Sequence, residues 1–318
     1  MFCYIKAISG MKTMKTQALS AGRRWRYLLA AGVLLGSAGM AAAQWPLPDQ
    51  GKLLALGGAS QIEGAGGGGL TPWALITGYG TRDSYGGNVH TTGVRTQDYA
   101  IDSAGVAFGF ADRFEISLAS QKLQGSLAPL AQLAITQDIV GLKLKLSGDA
   151  LADQDRLLPQ IALGIQYKRN RGVRGLDALG VTSVTQLGAR SDHGIDVTLS
   201  ATKILLDQSL LLNATLRATK ANQFGLLGFG GDLHDRYQPM LETSVVYLIN
   251  RQLVAGVEYR MKPRNLSVDN EKDAADVFVG YFLNRNVSVM LGWVTLGDVT
   301  IFNPRRQNGA YLSLQGGF

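Results

Sequence analysis

Alternation at period 2 constrains this chain more than any other feature. Between Gln252 and Met261 one face reads Leu253, Ala255, Val257, Tyr259 and Met261, and the other Val254, Gly256, Glu258 and Arg260. Successive side chains on a strand point to opposite faces, so each such segment needs an apolar environment on one side and a polar one on the other. The pattern recurs. Leu210, Leu212, Ala214, Leu216 and Ala218 oppose Asn213, Thr215, Arg217 and Thr219. Ile195, Val197, Leu199 and Ala201 oppose Asp196, Thr198, Ser200 and Thr202. Twelve segments carry it: 73–80, 101–110, 113–122, 138–147, 158–168, 193–204, 209–219, 238–249, 252–262, 274–283, 286–295 and 308–318. Most have about ten residues, the length of one tilted membrane-crossing strand.

The expected connections alternate too. Those after the second, sixth, eighth and tenth segments are short, the one after the fourth is intermediate, and those after odd segments are long. Short turns at one end and long loops at the other are the layout of outer-membrane barrels. Outward-facing Phe114, Tyr247, Tyr281 and Phe318 fall near the short-turn ends, and Tyr167, Tyr259 and Trp293 near the long-loop ends. Such girdles place amphipathic rings at the headgroup level. A soluble β-sandwich explains the alternation but neither the loop lengths nor the girdles. The expected fold is therefore all-β: a transmembrane antiparallel up-and-down barrel of about twelve strands, with both termini periplasmic.

The formal charge of +7 suggests a nucleic-acid partner only until it is located. Residues 1–43 hold six of the 31 Lys+Arg and no acidic residue, followed by an apolar run from Tyr27 to Gly36 and then Ala41-Ala42-Ala43. This reads as a cleaved signal peptide, residues 1–43. Cleavage removes Cys3, the only cysteine, and leaves a nearly neutral chain. A nucleic-acid partner loses its support, and disulfide, Cys-zinc and iron–sulfur chemistry is excluded.

Residues 44–72 are glycine-rich and 73–318 form the expected barrel. Gly66–Gly69 suits neither a strand nor a helix interior. Three readings stand for this segment: a periplasmic lead-in, a plug folded into the lumen, or an extra strand near 53–60. No phosphate-loop motif is present.

The lumen-facing positions carry mixed charge: Glu115, Lys143, Lys145, Asp196, Arg217, Glu242, Glu258, Arg260 and Asp276, with Lys168 on the same face. They either line a small channel or pair and close it. Lys168, Arg169, Arg171 and Arg174 also form a basic run at a long-loop end, suited to lipopolysaccharide phosphates. The stretch 176–187 is a candidate fold-in constriction. His90, His193 and His234 are expected in or beside long loops. Asp192 and His193 are not expected to form a dyad by adjacency, and no nucleophile motif is present. No His or acidic spacing marks a metal site, and no cofactor is implied.

Two further stretches carry an address and a resemblance. The chain ends Ala310-Tyr311-Leu312-Ser313-Leu314-Gln315-Gly316-Gly317-Phe318, with an alternating face closing on an aromatic. This resembles the C-terminal signal that outer-membrane barrels present to the barrel assembly machinery. The run from Gly51 to Ile76, followed by Gly78-Tyr79-Gly80, resembles the opening of an uncharacterised proteobacterial family of outer-membrane β-barrels, domain-of-unknown-function family 3034. That resemblance implies a Gram-negative outer-membrane protein in contact with outer-membrane lipids, and assigns no functional residue. The function expected is passive passage of a small solute or hydrophobe through a narrow pore, gated by 51–72 if that segment is a plug. The alternatives are a lipid-modifying enzyme using His193 or His234, and a structural or adhesive barrel without conduction.

Overall fold

The computed structural model describes residues 49–126, 130–152, 154–299 and 305–318; the expected signal peptide lies outside them. Twelve strands follow in order: β1 (Tyr85–Thr96), β2 (Tyr99–Phe110), β3 (Phe114–Gly125), β4 (Ala134–Ser147), β5 (Gln160–Arg174), β6 (His193–Leu205), β7 (Leu210–Thr219), β8 (Gln238–Leu248), β9 (Leu253–Arg260), β10 (Ala274–Phe282), β11 (Val287–Asp298) and β12 (Arg306–Gly317). Each pairs antiparallel with its sequence neighbours, and β1 closes on β12 from Asn88–Gly317 to Thr96–Gly309. Closure leaves no unpaired strand edge, the condition for a sheet to cross lipid.

Alternation decides what faces where. Phe114, Leu142, Leu216, Val257, Leu291 and Trp293 are all more than half exposed, while the intervening Glu115, Lys143, Arg217 and Glu258 are buried inside the ring. The exposed row continues from strand to strand. Soluble monomers rarely carry a contiguous apolar surface of that extent, whereas a bilayer requires it. The girdle aromatics Tyr247, Tyr281, Tyr167 and Tyr259 are likewise exposed. The chain therefore has the architecture of a bacterial outer-membrane barrel.

The strand count of the sequence reading stands, but the first strand is displaced. Segment 73–80 is not a strand; the first strand is Tyr85–Thr96. The outward face of β1 reads Tyr85, Gly87, Val89, Thr91, Gly93 and Arg95, with Val89 its one aliphatic side chain, so its lipid signature is faint. Gly87 leaves room for the Phe318 ring, which would lie 2.8 Å from a Cβ there. As a result β1 and β2 are joined by residues 97–98 alone, a break in the expected rule that odd strands are followed by long loops.

Two segments turn inward. Residues 55–80 lie almost wholly buried inside the ring. At the long-loop end residues 221–231, between β7 and β8, also fold in, with Phe224, Leu226, Leu227 and Phe229 buried. The stretch 176–187 was the expected constriction; it forms two short 3-10 turns at Asp177–Leu179 and Val184–Leu187 and is largely exposed.

Candidate functional site: the occupied lumen

The inner segment enters and leaves the barrel at the short-turn end. Arg285, in the β10–β11 turn, donates to the carbonyls of Gln50 and Lys52. Lys52 pairs with Asp112 of the β2–β3 turn at 2.8 Å and donates to Ile76 O. On the way out, Tyr79 N donates to Phe318 O at 3.0 Å, and the Tyr79 hydroxyl donates to Ala55 O at 3.1 Å. Residues 55–80 therefore make an in-and-out excursion and do not span the membrane. Bridges at Ser60–Gly66 and Gly67–Pro72 fold the excursion back on itself. Glycine is required at its tip. A Cβ at Gly67 would lie 2.2 Å from Thr71 O, and one at Gly68 would lie 2.1 Å from Glu258 Oε1.

The wall binds this segment with polar side chains. Glu115 accepts from Gly66 N and Thr77 N, and Lys143 donates to Gly66 O and Leu75 O, each at about 3 Å. Gln160 donates to Ala74 O at 2.7 Å, and Ala74 N donates to Thr202 at 2.7 Å. Asn213 and Thr215 donate to Pro72 O. Glu258 accepts from Leu70 N at 2.6 Å and from Thr71 at 2.7 Å. Trp73, 1% exposed, donates its indole N–H to Ser244 at 3.1 Å. Each of these groups would otherwise be a buried, unsatisfied backbone or indole group, costing about 1–3 kcal/mol.

At the centre stands Glu63, the only acidic residue from 50 to 80. It contacts Lys168 Nζ at 2.5 Å, Arg260 Nη2 at 3.0 Å and Arg217 Nη2 at 3.5 Å. The same cations hold wall carboxylates. Lys168 and Arg217 reach Asp196 at 2.8 and 3.1 Å, and Arg217 and Arg260 reach Glu242 at 2.5 and 3.1 Å. The wall alone thus has three cations against two carboxylates, leaving one positive charge uncompensated, and Glu63 neutralises it. Burial pushes the Glu63 carboxyl up, but Arg260, Lys168 and Arg217 outweigh it and hold it below the usual carboxylate range.

The in-folded loop caps this network. The Arg260 guanidinium stacks 4.4 Å from the Phe224 ring centre, and Lys168 also donates to Phe224 O at 3.2 Å. Phe224 sits at φ +63°, a left-handed conformation that a bulky residue adopts at a cost and that neighbouring contacts must hold. Beside it Gln223 N donates to Glu271 and the Gln223 side-chain amide donates to Asp269.

Of the charged residues expected in the lumen, Glu115, Lys143, Asp196, Arg217, Glu242, Glu258, Arg260 and Asp276 are buried inside the ring. Glu115 pairs with Lys143 at 3.1 Å. Glu258 and Asp276 lie opposite each other on β9 and β10, and Asp276 accepts from the Tyr311 hydroxyl at 2.8 Å. Lys145 sits apart at the short-turn end, bound to Asp112 at 2.8 Å. Lys168 is corrected as a lipopolysaccharide contact: it is fully buried in the network, whereas Arg169, Arg171 and Arg174 are exposed. His90 is likewise corrected. It lies on β1, 2% exposed inside the barrel, and not by a long loop. Sequence reasoning passed over Glu63, Thr71 and Trp73. The available signal for Glu63 was its isolation as the one charged residue between 53 and 80.

His193 needs a correction of another kind. Adjacency does not keep Asp192 away, because its Oδ1 lies 2.7 Å from His193 Nδ1. Ser191 Oγ also approaches that same nitrogen, at 3.2 Å, while donating to His193 O. A nucleophile–base–orienter relay needs the serine on one ring nitrogen and the carboxylate on the other. Both here converge on one. Among the described residues no cluster of His, Cys, Asp and Glu could hold a metal ion.

Among solved structures the chain is similar to outer-membrane barrels of differing chemistry. It is similar to the KdgM porin, at 12% identity over 73% of this chain and 99% of that one, with a TM-score of 0.45. It is similar to the NanC porin, at 9% identity over 72% and 98%, TM-score 0.48. It is also similar to outer membrane phospholipase A from Escherichia coli, at 10% identity over 72% and 92%, TM-score 0.39. No curated protein sequence matches it. A family match extends over residues 56–315, from the inner segment into β12, and by it the chain belongs to the family described as Protein of unknown function (DUF3034).

Proposed function

We propose that this protein is an outer-membrane passage barrel for a small solute, held closed at rest by its own inner segment. One observation carries the reading: residues 55–80 fill the lumen and supply, through Glu63, the charge that the wall lacks. Side-chain hydrogen bonds to backbone, together with ion pairs, can be exchanged for water, as gating requires. The termini lie on the periplasmic side in this reading, since the inner segment and Phe318 meet at the short-turn end. Residues 1–43 act as a cleaved leader, and the final strand ending at Phe318 addresses the chain to the barrel assembly machinery. Arg169, Arg171 and Arg174 contact lipopolysaccharide phosphates at the opposite rim. Serine at all three should weaken lipopolysaccharide binding, and unchanged binding would remove that contact.

Planar-bilayer recording tests the main reading. The full-length mature chain should show rare openings, and a variant lacking 51–80 should conduct steadily. A folded deletion variant, shown by heat-modifiable migration, that passes no current would favour a barrel without conduction.

A further inference from the structure

The inner segment is not sealed equally against the whole wall. Hydrogen bonds tie it to β1–β9 and, through Gln315, to β12. Among the described residues none joins it to β10 or β11. Along that side the wall changes chemistry. The lumen face of β11 reads Ser288, Met290, Gly292, Val294, Leu296, with no charge. The inner segment presents Ile62, Gly69 and Leu70 there, and Gly69 comes so close to Tyr311 that a Cβ would lie 2.6 Å from its hydroxyl. Between them a cavity of about 20 Å³ remains, lined mainly by Ile62, Leu70, Met290, Val294 and Leu296, with uncharged polar groups of Gln121, Tyr311 and Gln315 also at its wall. Barrel lumens are ordinarily polar, so a cavity lined mainly by apolar side chains departs from the rule.

We propose that this seam is the binding site and route of an uncharged, predominantly apolar small molecule, such as a single aromatic ring or a short alkyl chain. This rests on the passage reading above and names its substrate class. Three features favour an apolar occupant over an ionic one. No lumen-facing side chain of β11 from Ser288 to Leu296 carries a charge that would offset the desolvation of an ion. Most side chains facing the cavity are apolar, its polar members Ser60, Thr92, Gln121, Tyr311, Ser313 and Gln315 are uncharged, and Met290 is unbranched and adaptable. Turning the Leu70 and Ile62 side chains widens the seam while the backbone hydrogen bonds of those two residues to Glu258, Arg260, Ser103 and Gln121 stay in place. Gly69 adds no side-chain bulk, so rotation of the Leu70 and Ile62 side chains enlarges the seam while Glu63 keeps its three partners.

Methyl NMR of methionine tests this directly. After the leader the chain contains Met240, Met261 and Met290 only. The mature chain, labelled at the methionine methyls and placed in lipid nanodiscs, is titrated with toluene and separately with gluconate. The Met290 signal, assigned by Met290→Leu, should shift saturably with toluene, with the Met261 signal fixed and no response to gluconate. Val294→Phe fills the seam and should abolish saturation while leaving heat-modifiable migration intact. A Met290 shift that rises linearly together with Met261 reports partition into lipid and overturns the site. So does a saturable shift that survives Val294→Phe. A response to gluconate alone would replace the substrate class. The binding readout does not require transport: saturable toluene binding in a barrel that never conducts would retain this site and sink the passage reading, and the reverse result would do the opposite.

Discussion

Replacing Glu63 by Gln tests the charge argument, because the side chain keeps its size, loses its charge and exchanges one acceptor oxygen for an amide donor among cations. Wild-type closure places three carboxylates among three cations, all nearly fully buried. With the Glu63 charge removed, the closed state buries one positive charge more than negative. Breaking a buried pair by removing one partner costs about 3–5 kcal/mol, since the orphaned charge remains desolvated. At about 1.4 kcal/mol per factor of ten, the closed-to-open ratio should fall by roughly two to three and a half orders of magnitude. The cost falls on docking of the inner segment and not on the barrel, whose strand ladders do not involve Glu63. Open probability in planar bilayers should therefore rise steeply while heat-modifiable migration is unchanged. Adding Lys168→Met to Glu63→Gln leaves Arg217 and Arg260 with Asp196 and Glu242, a balanced set, and should recover most of the closure. An open probability for Glu63→Gln equal to wild type, with no added effect of Lys168→Met, would refute the idea that charge neutrality holds the segment in place.

Other outcomes follow from the same geometry. Gly67→Ala should open the barrel as Glu63→Gln does, because the new Cβ meets the backbone of Thr71 and Pro72, which cannot rotate away; wild-type closure in recordings would contradict it. The Glu63 carboxyl is depressed below its ordinary 4.5, so its contribution is fully present above that value and is lost only as pH falls through the lower folded value. Open probability should thus not rise as pH falls from about 8 to about 5, and such a rise would argue against these ion pairs. Glu271, in the loop after β9, behaves oppositely. Burial pushes its carboxyl up to about 8 despite Lys262 at 3.7 Å. Its folded value lies above the ordinary 4.5, so the protonated form favours docking of 221–231, and that contribution fades as pH rises from 4.5 to about 8. Hydrogen exchange across 221–231, corrected for intrinsic rates, should lose protection over that window, and Glu271→Gln should flatten the dependence.

Strand number and facing were legible because lipid imposes one rule on every strand. Val257, Leu291 and Leu216 could be assigned outward from alternation alone. The rule failed where lipid contact is slight. β1 shows Gly87, Thr91 and Gly93 outward, so Trp73–Gly80, which is more apolar, took its place in the reading. Those apolar residues do face apolar surroundings, but inside the ring: Trp73, Ile76 and Tyr79 are each about 1% exposed. Periodicity cannot distinguish a residue buried by lipid from one buried by a lumen. The charge network was half legible. Its wall members appeared as inward positions on separate strands, but their pairing depends on barrel closure and on Glu63, a partner more than a hundred residues from Lys168. The in-folded loop is marked in the sequence only by four glycines, Gly225, Gly228, Gly230 and Gly231, a composition that ordinary surface loops share.

The central claim is that the inner segment must leave its seat for the barrel to conduct. Thr71 and Ser244 touch through their hydroxyls deep in the lumen. The mature sequence has no cysteine, so Thr71→Cys with Ser244→Cys places a unique disulfide between segment and wall. Planar-bilayer recording of this variant, oxidised and then reduced in the same membrane, reads the claim reversibly. The account predicts silence when oxidised and openings at or above the wild-type rate after reduction. Equal conductance in both states, with the disulfide verified, would contradict it.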